Sequence, residues 1–231
     1  MKQVCKRVGI VGLSGKPFHR AHEAIVQKAS EENDEVFLIV SLTTRERKGE
    51  ITITRESSVD IWSRYLVRTM PSNVKLIYTG GTALDDRREE VLETAKRELD
   101  QVVKEKEEIE RQKIMEMRDG PKIDTPVGWT WWLLGIFSYV NVQHEFNVYV
   151  GPDDKDRFPI DKIAKYVNDP QNVHVIVVGD TRLFNVSGTQ MRAFLAAGNY
   201  DEFTLNLPTK LSEKEKSEVW DLLKANLRPT K

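Results

Sequence analysis

Residues 8 to 22 read VGIVGLSGKPFHRAH, an apolar run followed by a glycine-containing turn and two histidines. The run from 8 to 13 is continuous rather than alternating, which is typical of a strand buried on both faces of a parallel sheet. Gly12 and Gly15 allow the backbone to approach a ligand closely. This stretch therefore predicts a buried strand, a ligand-binding turn and the start of a helix.

Four further apolar runs extend this pattern to a sheet: VFLIVS at 36 to 41, VKLIYT at 74 to 79, FNVYVG at 146 to 151 and VHVIVVG at 173 to 179. Residues with helical spacing follow the first run, and a second helical pattern begins near Thr54 and ends at Pro71. Alternating strands and helices predict a right-handed, doubly wound α/β fold. We expect a Rossmann-like, five-stranded parallel sheet in a single domain spanning residues 1 to 231.

Residues 85 to 118 interrupt this pattern and are interpreted as a charged helical insertion. Twenty-one of these 34 residues are charged, 12 acidic and 9 basic. An apolar row with helical spacing runs through them: Leu92, Ala95, Leu99, Val102 and Ile109. The row is compatible with a solvated, projecting helix or helical pair, with a coiled coil between copies of the chain, or with a helix that folds back on the chain. The coiled coil predicts a homo-oligomer, which we take as the hypothesis to test.

The segment from 187 to 231 is predicted to form a helical tail. Gly198 suits the C-cap of its first helix. The sequence Ser212-Glu213-Lys214-Glu215 is typical of a capping box and opens a final helix. Four residues of that helix are expected to face inward: Val219, Trp220, Leu222 and Leu223.

Composition excludes several classes of protein. The 231 residues carry 35 Lys and Arg against 36 Asp and Glu, so a net charge of −1 gives no general attraction to nucleic acid or to an anionic membrane. The longest apolar runs fall short of the roughly 18 residues that a membrane span needs. A single cysteine, Cys5, excludes an intrachain disulfide and a cysteine-based zinc site. We expect a cytoplasmic protein without nucleic-acid or membrane partners.

Two of the four histidines lie directly after the first predicted strand. His19 and His22 are three residues apart at a helix start, so they point to the same side and can offer N–H donors to a phosphoryl group. The N-terminus of the same helix is itself a site for anions. The alternative is that both histidines only cap or pack the first turn.

A second turn of the same kind, VSGTQMR at 186 to 192, follows the fifth predicted strand. Ser187 and Thr189 suit a helix N-cap and first turn, where hydroxyls and free backbone N–H groups converge on an anion. Arg192 lies one turn further and can reach the same anion. Read alone, the segment could also be an ordinary capped helix. Because the carboxyl ends of parallel strands share one edge of the sheet, both turns are expected to meet there, where ligands bind in such folds.

The strings KPFHRAH and VSGTQMR together resemble the HxGH and ISSTxxR signatures of the nucleotidylyltransferase superfamily. The chain is most similar to phage-encoded members that resemble cytidylyltransferases and nicotinamide mononucleotide adenylyltransferases, while HRAH and SGTxMR resemble the sulfurylase branch. Resemblance covers residues 8 to 79 and 146 to 208. Ala21 replaces the family's usual glycine between the histidines, and this departure leaves the choice between ATP and CTP open.

The resemblance implies an enzyme that transfers a nucleoside monophosphate from ATP, or alternatively CTP, to a small phosphorylated acceptor such as nicotinamide mononucleotide, with release of pyrophosphate. Mg²⁺ would arrive with the nucleotide and not on protein ligands. The implied catalytic residues are Lys16, His19, His22 and Arg192. The implied nucleotide-binding residues in the two turns are Gly12, Leu13, Ser14, Gly15, Ala21, Val186, Ser187 and Thr189.

Residues 150 to 158 resemble the family's Gly-x-Asp loop, which implies that Gly151, Asp153 and Asp154 contact the nucleotide and Arg157 the acceptor. A plain turn followed by a charged surface is the alternative. Trp129 and Trp132 could line the acceptor pocket, although core packing is favoured. The competing function is a noncatalytic nucleotide-binding or assembly protein that uses the helical insertion to contact a partner.

Overall fold

Five parallel strands form one sheet in the order β3-β2-β1-β4-β5. In this computed structural model, which describes residues 5–46, 48, 50–80, 87–105, 111–112, 115–117, 120–140, 143–179 and 186–225, each predicted strand is present. The strands are β1 (Arg7–Leu13), β2 (Glu35–Ser41), β3 (Val74–Thr79), β4 (Glu145–Val150) and β5 (Val173–Val177). The predicted Rossmann-like α/β fold is confirmed.

The central strand β1 fixes the position of the ligand-binding edge. Ile10 of β1 is in register with Phe37 of β2 on one side and with Val148 of β4 on the other. The chain moves outward from β1 to β3 and then returns to the far side of β1 as β4. Strand order therefore reverses between β1 and β4, and the carboxyl ends of these two strands border the crevice that such a reversal creates.

Helices cover both faces of the sheet. They are α1 (Arg20–Glu32), α2 (Arg55–Ile61), α3 (Arg88–Val102), α4 (Pro126–Val140), α5 (Ile160–Tyr166), α6 (Gly188–Ala197), α7 (Tyr200–Leu205) and α8 (Glu213–Ala225). One core lies beneath α1, α2 and the last three helices and includes Phe18 and Trp62. The other lies beneath α3 and α4 and includes Trp129.

Helix α3 corrects the interpretation of residues 85 to 118. Its residues Val91, Ala95 and Leu99 are buried in the second core, and Leu99 is only 1% exposed. The charged side chains occupy the other face, so this is an amphipathic helix that covers the sheet where the chain crosses from β3 to β4. The projecting helix and the coiled-coil seam through Leu99 are both wrong for α3. Ile109 lies outside the described residues, and oligomeric state stays a prediction.

Helix α4 was not predicted as an element. Its sequence, PVGWTWWLLGIFSYV, is apolar on every side, and ten of its residues are buried. A helix that is buried all round has no 3.6-residue alternation of apolar and polar positions by which to recognise it.

None of the helices in the described part of the chain combines the length and apolar character that crossing a bilayer requires.

The predicted tail helices are confirmed up to residue 225. Ser187 and Gln190 form a reciprocal capping box at the start of α6, and Gly198 ends it in the left-handed conformation with φ +76°. Ser212 and Glu215 bond each other's backbone N–H groups at the start of α8. Buried residues of α6 and α8 belong to the first core, so the tail is part of the same folded unit.

Candidate active site

The turn after β1 is held close to the start of α4. A Cβ on Gly12 would lie 2.8 Å from Oγ1 of Thr130 and 3.1 Å from the carbonyl oxygen of Pro126, so glycine is needed there. Gly15 has φ +52°, in the left-handed region that favours glycine. Between them, Leu13 is half-buried and Ser14 is exposed. Close packing at Gly12 and the left-handed conformation of Gly15 therefore fix the path of the chain from β1 into the turn.

Lys16 links this turn to the segment that follows β2. Its side chain is only 3% exposed, and Nζ donates to the carbonyl oxygen of Thr43, to Oγ1 of Thr43 at 3.0 Å and to Oγ of Ser41 at 3.3 Å. Burial, with a smaller effect from the nearby Arg45 cation, lowers the pKa of Lys16 to about 8. A nearby anion would stabilise the charged form of an amine that is buried among neutral oxygens in this way.

His19 and His22 stack at the start of α1, with ring centroids 3.8 Å apart and an interplanar angle of 25°. His19 is the N-cap residue, but its side chain does not bond the helix backbone. Both ring nitrogens of His19 and Nδ1 of His22 are buried without a hydrogen-bond partner in the described part of the chain. Because buried polar atoms are normally satisfied, these three nitrogens indicate a place for a ligand.

Both histidine rings are neutral at pH 7. Burial, reinforced by the Arg192 cation, lowers the pKa of His19 to about 4. Burial, reinforced by His19, holds the pKa of His22 well below its usual range. A neutral imidazole offers one N–H donor and one acceptor, so the pair can donate hydrogen bonds to an anion without first gaining protons.

Arg192 joins the two sequence motifs. Its guanidinium is 2% exposed, and Nη1 donates to the carbonyl oxygen of Lys16 at 2.7 Å while Nη2 donates to Oγ1 of Thr189 at 3.1 Å. A Cβ on Gly188 would lie 3.1 Å from Nη1, so the start of α6 approaches the arginine closely. The turns after β1 and before α6 therefore meet, as the sequence predicts.

Glu50 completes this cluster and was missed by sequence reasoning. Its carboxylate accepts from Nε of Arg192 at 2.6 Å and lies 2.5 Å from Nη2. It also accepts from Oγ1 of Thr189 at 3.4 Å. One glutamate in the polar segment TTRERKGEIT carries no sequence signal for a contact with a residue 142 positions away.

The turn after β4 lies at the same edge of the sheet. Residues Pro152–Arg157 form a short 3₁₀ helix that follows Gly151. Asp153 is exposed, and Arg157 pairs with Asp154, where Nε and Oδ1 are 2.9 Å apart. The loop is therefore placed beside the crevice, while its nucleotide and acceptor contacts remain predictions.

Trp129 and Trp132 lie in the second core rather than in an open pocket. They are 0% and 2% exposed and pack edge to face with centroids 5.2 Å apart. Their indole N–H groups donate to Oδ1 of Asp124 at 2.9 Å and to the carbonyl oxygen of Met117 at 2.6 Å. These contacts support core packing and not an acceptor-binding role. Asp124, a residue that sequence reasoning missed, also accepts from the N–H of Gly80 at 3.0 Å.

No protein-family model matches this chain, and no curated protein matches it. Among solved structures it is similar to nicotinic acid mononucleotide adenylyltransferase of Plasmodium falciparum. The complex with NaAD has 13% identity and a TM-score of 0.45, and the complex with APC has 12% and 0.47; each match covers 94% of this chain and 98% of that chain. Thermotoga maritima TmcAL bound with alpha-thio ATP has 14% identity, a TM-score of 0.35, and coverage of 94% of this chain and 55% of that chain.

The neutral histidines predict a loss of stability in mild acid. Because the pKa of His19 is about 4 in the fold and near 6.5 when unfolded, the unfolded chain binds more protons between those pH values. Each such histidine makes the free energy of unfolding fall by up to about 1.4 kcal/mol per pH unit as the pH drops from 6.5 toward 4. Above pH 6.5 this contribution is constant.

We therefore expect His19→Asn, which keeps a good N-cap residue, to unfold with a shallower dependence on acid pH than the wild type. Urea unfolding followed by circular dichroism at pH 7, 6, 5 and 4.5 measures the difference. His174→Asn, on an exposed histidine of β5, is the matched control and should keep the wild-type slope. Parallel slopes for His19→Asn and the wild type would contradict the buried, neutral state of His19.

Proposed function

We propose that the protein is a nucleotidyltransferase, which moves a nucleoside monophosphate from a nucleoside triphosphate to a small phosphorylated acceptor. The observation that carries this proposal is the group of buried, unsatisfied ring nitrogens of His19 and His22. They belong to the turn that Arg192 bonds through the carbonyl oxygen of Lys16. Neutral donors and cations at the carboxyl edge of a parallel sheet suit the binding of a polyphosphate.

The reaction would proceed by in-line displacement. An oxygen of the acceptor phosphate attacks the α-phosphorus, the bond from that phosphorus to the bridging oxygen breaks, and pyrophosphate leaves with its Mg²⁺. The new bond is a phosphoanhydride. Such chemistry asks the protein mainly to position the reactants and to neutralise charge, and it needs no protein nucleophile.

Each site residue has a distinct role in this proposal. The N–H groups of His19 and His22 stabilise the charge that develops on the α-phosphoryl oxygens, and Lys16 adds a cation on the same side. Arg192, with the hydroxyls of Ser187 and Thr189 at the start of α6, holds the outer phosphates. Among the described residues, no group of three His, Cys, Asp or Glu side chains forms a metal site. In this proposal Mg²⁺ arrives bound to the nucleoside triphosphate.

For the base and the acceptor, the proposal follows the resemblance of the two motifs. ATP is favoured over CTP, and a mononucleotide such as nicotinamide mononucleotide is the favoured acceptor. Gly151, Asp153, Asp154 and Arg157 are the residues proposed to contact ribose and acceptor. The noncatalytic alternative requires the helical insertion to contact a partner protein. The apolar face of α3 is instead buried in the core of this chain.

Pyrophosphate release tests the proposal. The full chain is incubated with Mg²⁺, one of four nucleoside triphosphates and one of several phosphorylated acceptors, and the products are identified by mass spectrometry. We expect pyrophosphate to form only when triphosphate and acceptor are both present, with ATP as the better donor. Release of inorganic phosphate alone, or no turnover with any pair, would contradict the proposal.

A further inference from the structure

The segment between β2 and α2 brings a carboxylate into the anion site. Arg45 and Ile53 pair as an antiparallel bridge, with N–O distances of 2.9 and 3.3 Å, and Glu50, which lies between them in the sequence, contacts Thr189 and Arg192 of α6. Glu50 lies in this loop, which we call the 45–53 loop. Its side chain is 20% exposed, against 2% for the Arg192 side chain that it meets.

Glu50 occupies the edge of Arg192 that is best suited to an oxyanion. The guanidinium presents its donors as a planar fork, and the Nε and Nη2 edge matches two oxygens of a carboxylate or a phosphate. Glu50 contacts both of these nitrogens, while Nη1 is used by the carbonyl oxygen of Lys16. The hydroxyl of Thr189, the second residue of α6, also donates to the Glu50 carboxylate.

The same position is favourable for phosphate oxygens. The N–H groups of a first helical turn have no acceptor in the helix backbone, and the helix dipole makes the N-terminus positive. At α6 the capping box takes up one of these groups, the N–H of Gln190. Independently of α6, the two ring nitrogens of buried His19 have no hydrogen-bond partner in the described part of the chain and indicate a ligand. His19 lies three residues beyond Lys16, whose carbonyl oxygen accepts from Arg192. Glu50 is therefore placed where an anionic ligand of the site would bind.

We propose that Glu50 is a specificity residue of this anion site: its carboxylate holds the fork of Arg192 until the outer phosphates of a nucleoside triphosphate displace it. This inference rests on the proposed function. Two anions in one partly buried site repel each other, so the phosphates and the carboxylate exclude one another. A nucleoside monophosphate has no outer phosphates and leaves the Glu50–Arg192 pair intact.

Displacement has two consequences. Every triphosphate that binds must first break the ion pair, so Glu50 lowers the affinity for polyphosphate while leaving the affinity for monophosphate unchanged. It also removes the contacts of Glu50 with Arg192 and Thr189, so binding of the outer phosphates weakens the attachment of the Arg45–Ile53 bridge to α6.

Calorimetry on the full chain tests this with inorganic tripolyphosphate and AMP as the two probes. Glu50→Gln keeps the size of the side chain and removes its charge. We expect it to bind tripolyphosphate about 10-fold more tightly than the wild type, which corresponds to about 1.4 kcal/mol, and to bind AMP equally. Glu46→Gln removes the same charge from an exposed position of the same loop and is the matched control, with affinities within about twofold of the wild type.

Hydrogen exchange provides a second measurement. In the wild type, tripolyphosphate should increase exchange of the amides of Arg45 and Ile53, and AMP should not. If Glu50→Gln does not fold, as judged by circular dichroism, Glu50→Asp replaces it, since a shorter carboxylate reaches Arg192 less well; tighter tripolyphosphate binding is again expected.

The outcomes separate the inference from the proposed function. If Glu50→Gln and Glu46→Gln tighten binding equally, general charge and not displacement is responsible, and the inference is overturned while the function stands. Weaker tripolyphosphate binding by Glu50→Gln would make Glu50 a supporting residue and would also overturn it. If none of the proteins binds tripolyphosphate, the anion site is absent, and the proposed function fails together with the inference.

Discussion

His22→Ala is expected to lower kcat for nucleotidyl transfer by about 10²- to 10³-fold, the scale of losing one preorganised donor to a developing charge. The affinity for the triphosphate should change little, because the ring acts on the α-phosphoryl group at the transition state and not on the outer phosphates. Steady-state kinetics with the favoured donor and acceptor separates kcat from KM.

The stacking of His22 on His19 and its contact with Phe18, with centroids 5.5 Å apart, require a check that the variant folds. Circular dichroism and thermal unfolding provide that check. His174→Ala, at an exposed position of β5, is the matched control and should retain wild-type kcat. A folded His22→Ala protein with unchanged kcat would remove the catalytic assignment.

Arg192→Ala is expected to weaken binding of the triphosphate by about 2 kcal/mol, or about 30-fold. Binding of the corresponding nucleoside monophosphate should be nearly unaffected, because Arg192 is assigned to the outer phosphates alone. Calorimetry with ATP and AMP measures both affinities.

Removing Arg192 also leaves the carbonyl oxygen of Lys16 and the Glu50 carboxylate without this partner. Arg192→Lys is therefore a second variant to measure, since it keeps a cation but loses the planar fork of the guanidinium. Its loss of affinity for ATP should lie between those of the wild type and Arg192→Ala. An equal loss for ATP and AMP would mean that Arg192 does not face the outer phosphates.

The sheet could be predicted because its signal is local. Each strand is a largely apolar run, and β1 to β4 have buried residues on both faces, while the edge strand β5 is only partly buried. Ser187 and Gly198 mark the ends of α6 by their own backbone chemistry. The meeting of the two turns, where Arg192 bonds the carbonyl oxygen of Lys16, follows from topology, since parallel strands share a carboxyl edge.

The rest depended on contacts that the sequence does not encode locally. The many charged residues of α3 led to its interpretation as a solvated helix, although its apolar face packs on the sheet. Helix α4 has no polar face, so its sequence lacks the alternation of polar and apolar residues that predicts a helix. Glu50 contacts Arg192 across 142 positions of sequence, and no local pattern of residues predicts such a contact. Asp124 likewise accepts from the N–H of Gly80 and from the indole of Trp129. Its contact with Gly80 depends on the tertiary fold and not on local sequence.

The fate of the phosphorus atoms tests the central claim most directly. The full chain is given acceptor, Mg²⁺ and ATP labelled at either the α- or the γ-phosphorus, and the labelled products are separated. Nucleotidyl transfer predicts that the α label is found in the acceptor adduct and the γ label in pyrophosphate. Transfer of the γ label to the acceptor, or its release as inorganic phosphate while the α label stays in ADP, would contradict nucleotidyl transfer.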